Sequence, residues 1–178
     1  MYRLDAAADR IAAALGAEPG RDVWQGGGVI PGEFAPVVVQ GKEARRVVPR
    51  QWGVPPPPRG THVVTHVRNL DSPFWIGTLR HTEYRCLVPA TAFRAGDAWI
   101  GVEGHPVFAF AGIWRDSEVA SFAVVTIAGD GLYPVERVTT LPLILDPKDY
   151  GIWLNADWKL AQDLVRPTIQ SLRQITYS

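Results

Sequence analysis

The chain is poor in the residues that usually carry catalytic chemistry. It has one cysteine, Cys86, in 178 residues. A single cysteine closes no internal disulfide, which fits a reducing compartment, so a cytoplasmic location is expected. There is no net charge either: 18 Lys and Arg balance 18 Asp and Glu. That removes a global electrostatic attraction to nucleic acid and leaves only a local basic patch as a route to it. No apolar run approaches the roughly 20 residues of a membrane helix. The N-terminus lacks the basic-then-apolar pattern of a signal peptide, and no membrane partner is expected.

Several catalytic motifs are missing too. Gly26-Gly27-Gly28 is not followed by Lys-Ser/Thr and is no phosphate loop. There is no Gly-x-Ser-x-Gly elbow for a serine hydrolase. The chain has four histidines. His62 and His66 fall in a predicted strand, where residues four apart lie roughly 13 Å from each other, too far for one metal ion. His81 and His105 have no carboxylate or cysteine at ligand spacing. Neither metal nor cofactor is expected.

What is present reads as one globular domain over residues 1–178. Hydrophobic residues make up 47 % and charged residues 20 %, enough apolar material for a core. A helix is predicted over Ala6–Leu15, capped by Asp5 and stopped at Gly16, with Ala8, Ile11, Ala12 and Leu15 on one face. Glu18–Gly28 reads as loop. Ala35–Gln40 reads as a buried strand with Ala44–Pro49 as its hairpin partner. Pro55–Pro58 is a stiff connector, and His62–Val67 alternates as a strand. Arg85–Val88 is a short apolar run. Ala98–Val102 and Val107–Trp114 are predicted to form a hairpin around Glu103-Gly104-His105. Ser121–Ala128 is the clearest strand, turned by Gly129-Asp130-Gly131, and Pro142–Leu145 is another. Asp146 with Pro147 opens a helix. A second short helix follows Asn155 and ends near Pro167, and Gln174–Tyr177 is an expected edge strand. Strands without βαβ alternation give an α+β class, mostly antiparallel, with an N-terminal helix and short C-terminal helices.

Six segments, in order and at matching spacing, resemble one family. They are VIPGEFAPVVV (Val29–Val39), RQWGVPPPP (Arg50–Pro58), THVRNLDSPFW (Thr65–Trp75), YRCLVPATAF (Tyr84–Phe93), FAFAGIW (Phe108–Trp114) and TTLPLILDPKDYGIWL (Thr139–Leu154). The chain resembles the SRAP domain, the SOS response-associated peptidases. The resemblance implies a compact, mostly antiparallel fold with a barrel-like core and a basic DNA channel. It implies a single-stranded or abasic DNA partner, met by a covalent link from a cysteine next to the initiator Met. An Asn and an Arg of an Asn-x-Arg motif, a Glu and a His would complete that site.

The departures from this pattern are specific. Tyr2 stands where the cysteine is expected, and Tyr2-Arg3 matches the end of a longer Met-Cys-Asn-Leu-Tyr-Arg start. Three missing extended residues remove roughly 10 Å of reach. Arg68 is kept, but His66 replaces the Asn, Ala95 stands at the Glu position, and the His position falls near Glu136. Two explanations are open. Either Met1 is encoded by an alternative start codon, with the cysteine upstream, or the chain is a divergent, non-catalytic member. The first would leave an active abasic-site crosslinking enzyme. The second would leave a DNA-binding protein of the DNA damage response, or an interaction module repurposed for another ligand.

Arg68 suits a phosphate clamp, because its planar guanidinium donates in a fixed fork. His66 can donate to or accept from DNA, or can be a half-buried strand histidine. Its remaining acid–base capacity and that of Glu136 are the weak catalytic candidates. Trp52, beside Gly53 and the proline run, is expected at an exposed rim where it can stack on a base. Pro31 is expected to shape the pocket wall. Arg50, with Arg45 and Arg46, forms a local basic cluster that tracks a backbone or is simply solvated. Cys86 sits in an apolar run and reads as a core residue. A monomer is expected.

Overall fold

A computed structural model describes residues 1–21, 23–129, 138–167 and 171–177. In chain order the elements are β1 (Tyr2–Leu4), α1 (Ala8–Leu15), β2 (Ala17–Glu18), β3 (Gly27–Val29), β4 (Phe34–Gln40), β5 (Arg45–Trp52), β6 (His66–Val67), α2 (Ile76–Arg80), β7 (Arg85–Ala90), β8 (Ala92–Ala95), β9 (Ala98–Val102), β10 (Phe108–Arg115), β11 (Ser121–Ala128), β12 (Thr140–Pro142), β13 (Ile144–Leu145), α3 (Tyr150–Asn155), α4 (Trp158–Ala161) and β14 (Leu172–Ile175). The class is α+β with mainly antiparallel pairing, as expected from the sequence.

The apolar strands sort into two sheets. The larger runs β12-β11-β10-β7-β4-β5-β2, and its middle closes on itself because β11 also pairs with β5. That closing pair is parallel, Ser121 with Gln51 and Phe122 with Trp52. It turns β11-β10-β7-β4-β5 into a ring, the barrel-like core. The smaller sheet runs β14-β9-β8-β1-β3. β7 is buried along its whole length and β11 over its first six residues. Such strands read as continuous apolar runs, because both their faces are covered.

β10 and β11 pair from Gly112–Val124 to Arg115–Ser121 and then part. The segment around Leu143 fills the gap. The Ala111 N–H donates to the Leu143 carbonyl at 2.9 Å, and the Leu143 N–H donates to the Val125 carbonyl at 2.8 Å. The predicted strand Pro142–Leu145 is therefore two short strands, β12 on β11 and β13 on β10.

Local signals hold in several places. The buried face of α1 is Ala8, Ile11, Ala12 and Leu15, and the helix ends at Gly16. The Asp146 side chain accepts from the Lys148 N–H at 3.1 Å, with Pro147 in the first turn of a 3₁₀ segment that runs into α3. The Asp157 side chain caps α4 by accepting from the Leu160 N–H at 2.9 Å.

Other expectations are corrected. Asp5 does not cap α1; Ala7 holds that position without a side-chain bond, and Asp5 instead pairs with Arg3 at 2.7 Å. The stretch Glu18–Gly28 is not all loop: Ala17–Glu18 pairs with β5, and Gly27–Val29 pairs with β1. Of His62–Val67 only β6 is strand; Val64 forms a bridge with Val54 that folds the proline run back as a loop. β9 and β10 are not a hairpin. β9 pairs with β8 and β14, whereas β10 pairs with β7, β11 and β13, so Gly104 turns the chain from one sheet into the other. The C-terminal edge strand is Leu172–Ile175, slightly earlier than expected. Asp130 and Gly131 of the predicted turn lie outside the described residues.

Gly112 sits at a point of close packing in the ring. A Cβ there would meet Val88 Cγ2 at 2.6 Å and Cys86 Sγ at 3.0 Å. Behind it the indole N–H of Trp153 donates to the carbonyls of Cys86 and Gly112, at 3.0 and 3.2 Å. Gly112→Ala is expected to destabilise the fold by about 1–3 kcal/mol, the range for overpacking a core. Chemical denaturation measures this; an unchanged midpoint would contradict the packing described.

Candidate nucleic-acid interface

A cavity of about 220 Å³ opens at the seam between the two sheets. Met1, Tyr2, Phe93 and Arg94 reach it from the smaller sheet. Trp52, Phe110, Val124, Thr126, Thr140, Leu141 and Pro142 reach it from the larger one. His66 and Arg68 stand between, at and just beyond β6. A shallower trough of about 410 Å³ adjoins, lined by Val63, Val64, Thr65, Asn69, Ser72 and Trp75, and sharing His66 and Arg68.

Trp52 forms part of the inner wall. It is 2 % exposed, so the expected exposed rim is corrected. The reason is long-range: β5 ends against β11, and that pairing draws the indole inward. Its N–H donates to the Thr65 carbonyl at 3.1 Å. The ring stacks on Phe122 at 6.4 Å and meets Tyr2 and His66 edge to face, at 5.2 and 5.8 Å. Gly53 does not line the cavity. It continues the closure with φ 121°, its N–H donating to the Phe122 carbonyl at 2.9 Å. A side chain there would be strained and would meet Val63 at 2.9 Å.

His66 sits against Trp52 with Nδ1 bonded to the Thr65 hydroxyl at 2.8 Å. Its Nε2 has no hydrogen-bond partner among the described residues. Burial pushes the imidazole down to about 4, helped by the Met1 α-amine and by Arg68. His66 is therefore neutral at pH 7, one nitrogen a donor and the other an acceptor. The α-amine is itself lowered, by burial and then by Arg94.

Arg68 is exposed at the rim and makes no hydrogen bond or ion pair with any described residue. Arg94 is tied down: its Nε donates to the Gly96 carbonyl at 3.1 Å, and it pairs with Asp97 at 3.5 Å. Among the described residues no carboxylate lines the cavity, and the charged groups that do are all basic.

The remaining candidates lie elsewhere. Pro31 is exposed and outside the cavity lining. Arg50 is outside it as well, its guanidinium over the Trp114 ring at 4.4 Å. Arg45 donates to the Leu15 carbonyl at 2.9 Å, and Arg46 sits 4.0 Å from Glu18. The three arginines of the sequence cluster thus serve three different local partners. Ala95 is buried and not part of the lining. Glu136 lies outside the described residues. No group of three His, Cys, Asp or Glu side chains suited to a metal occurs among the described residues, and no helix among them is long and apolar enough to cross a membrane.

Phe93, Phe110, Arg94, Thr126 and Thr140 are lining residues that sequence reasoning did not single out. One signal was available: Thr126 is a lone polar residue deep in the apolar run of β11. Its hydroxyl donates to the Val67 carbonyl at 3.2 Å.

Cys86 is fully buried in β7, and burial pushes its thiol well above the ordinary range, offset in part by Arg50. The thiolate needed for nucleophilic attack does not form at neutral pH. A thiol reagent is expected to leave the native protein untouched and to modify one cysteine after unfolding; rapid native labelling would contradict the burial. For His66, an imidazole titration followed by NMR is expected to give a midpoint near 4. The unfolded chain takes up this proton first, near pH 6.5. Stability therefore falls as pH drops from about 6.5 towards 4, and this His66 contribution is complete above that window. A midpoint near 6.5 would contradict the burial of the ring.

The model for the SOS response associated peptidase (SRAP) family matches residues 2–177. The structure is similar to a solved protein from Bordetella bronchiseptica, with TM-score 0.78 and 16 % identity over 99 % of both chains. It is similar to one from Bacteroides thetaiotaomicron, with TM-score 0.74 and 17 % identity over 98 % of this chain and 91 % of that one. A phage-related protein from Bordetella bronchiseptica gives TM-score 0.73 and 19 % identity over 99 % and 93 %. At these identities the likeness concerns the fold. A search of curated proteins gives no match. With the family model spanning almost every residue, the chain belongs to the SOS response associated peptidase (SRAP) family.

Proposed function

We propose that this chain binds single-stranded or abasic-site DNA in the DNA damage response, and that it does so without a cysteine crosslink. The observation that carries the reading is Arg68. It is an exposed guanidinium at the mouth of the cavity, unpaired among the described residues and beside a neutral His66. An unpaired guanidinium binds a phosphate without first giving up a protein partner, and its fork matches the phosphate oxygens. The absence of a lining carboxylate, among the described residues, leaves no acidic group there to repel the anion. Trp52, His66 and Gly53 act in this reading as the inner wall and its support. Pro31 and Arg50 contribute at most from outside it.

The non-covalent part rests on the chemistry present. The chain's only thiol is Cys86, buried in the ring. A methyl stands at Ala95, where the family pattern has a carboxylate. Positioned acids and bases each contribute about 10²–10⁴ in rate, and His66, neutral and with a low pKa, is a poor substitute for them.

A second reading is favoured by one observation. Met1 lines the cavity, so any residues encoded ahead of it would emerge there, and an upstream cysteine would be well placed for the family's crosslink. The intact mass of natively expressed protein separates the two readings, since an upstream segment changes it.

The binding reading is tested with a labelled single-stranded oligonucleotide across a salt series. Binding is expected at low salt and should weaken steeply as salt rises. Arg68→Ala should weaken it about tenfold and reduce the salt slope by about one. Arg10→Ala, on α1 away from the cavity, should leave it unchanged. No binding at low salt, or full binding by Arg68→Ala, would overturn the assignment.

A further inference from the structure

The cavity is roomier and more aromatic than a phosphate or a sugar requires. Its 220 Å³ equals about seven waters at roughly 30 Å³ each, which is room enough for a pyrimidine base. Phe93 and Phe110 meet edge to face at 5.8 Å, and Phe110 meets Tyr2 at 5.9 Å. Each of these rings is only 2–3 % exposed, so they present a packed apolar floor of ring edges to the cavity, which suits a base better than a sugar with its polar oxygens.

Apart from the basic Met1 α-amine, Arg68 and Arg94, the polar groups facing the space are neutral. The Thr126 hydroxyl gives its proton to Val67 and so presents acceptor lone pairs. The Thr140 hydroxyl makes no hydrogen bond with any described residue and can both donate and accept. His66 adds Nε2. Neutral donors and acceptors beside an aromatic wall suit the polar edge of a base, and the cation at the rim suits the phosphate that follows it.

We infer that the cavity takes an intact nucleobase of a single strand, with the adjoining backbone phosphate on Arg68, rather than a baseless sugar. This rests on the DNA-binding reading above. A single strand is the fitting donor because its base is already unpaired, so no duplex pairing energy has to be overcome.

The test compares two strands of equal length at low salt: an oligothymidylate, and a strand carrying tetrahydrofuran in place of every nucleoside. Their phosphates are alike, so Arg68 alone does not distinguish them. The intact strand should bind at least about fivefold tighter, the lower end of what stacking one base contributes. Thr140→Phe fills the cavity and should abolish that preference while the phosphate-driven binding persists. A 5-iodouracil strand, irradiated on the native protein, should crosslink to Phe93, Phe110, Trp52 or His66 on peptide mapping; this readout stands even if Thr140→Phe does not fold. Equal or tighter binding of the baseless strand, or crosslinks confined to residues outside the cavity, would overturn the inference. Failure of both strands to bind at low salt would remove the DNA-binding reading itself, and the inference with it.

Discussion

The parallel pairing of β5 with β11 is the constraint on which the site depends. The Gln51 N–H donates to the Ala120 carbonyl at 3.0 Å, and the Gly53 N–H donates to the Phe122 carbonyl at 2.9 Å. Trp52, between them, is held on its other edge: its N–H reaches the Glu33 carbonyl, and its own carbonyl accepts from the Gly32 N–H at 2.7 Å. Both edges of the backbone are thus satisfied, as a buried backbone requires. The indole has one place to go, inward, against Phe122. β6 pairs with β11 just beyond this closure, Val124 with His66, which sets His66 against Trp52 and carries Arg68 to the rim.

The seam between the sheets follows from the same closure. β1 crosses from the smaller sheet so that Tyr2 packs on both Trp52 and Phe110. The parting of β10 and β11 admits Leu143, and with it Thr140, Leu141 and Pro142 as the remaining wall. The pocket therefore has apolar sides, a few neutral polar groups and basic charge at its edge. In the proposed reading that combination serves the binding of a polyanion rather than proton transfer. The low pKa of His66 belongs to the same balance: burial and basic neighbours suppress a further positive charge in a space too apolar to solvate it.

Much of the local architecture was legible because its signals are local. The spacing of Ala8, Ile11, Ala12 and Leu15 fixes the buried face of α1, and the Asp146-Pro147 pair opens the 3₁₀ segment before α3. The apolar run around Cys86 predicts its burial. What escaped depends on contacts distant in sequence. Trp52 beside Gly53 and four prolines looks like a rim residue, and only the pairing with Phe122 makes it an inner wall. Ala98–Val102 looks like a hairpin partner of the next strand, yet β14 from the C-terminus and β8 take its two edges. Phe110 is indistinguishable by pattern from a core phenylalanine. Arg45, Arg46 and Arg50 are adjacent in sequence, but a helix C-terminus, an acidic side chain and an indole draw them apart. Arg68 was readable from the family resemblance; its lack of a described partner was not.

The central claim is recognition of single-stranded DNA at the Arg68 rim without a covalent bond. Its most direct test is one incubation read two ways. The purified 178-residue chain is mixed with labelled abasic single-stranded DNA at low salt, then run on a native gel and on a denaturing gel after heating. The account predicts a retarded band on the native gel and free DNA alone on the denaturing one. An adduct that survives heat and denaturant would contradict it.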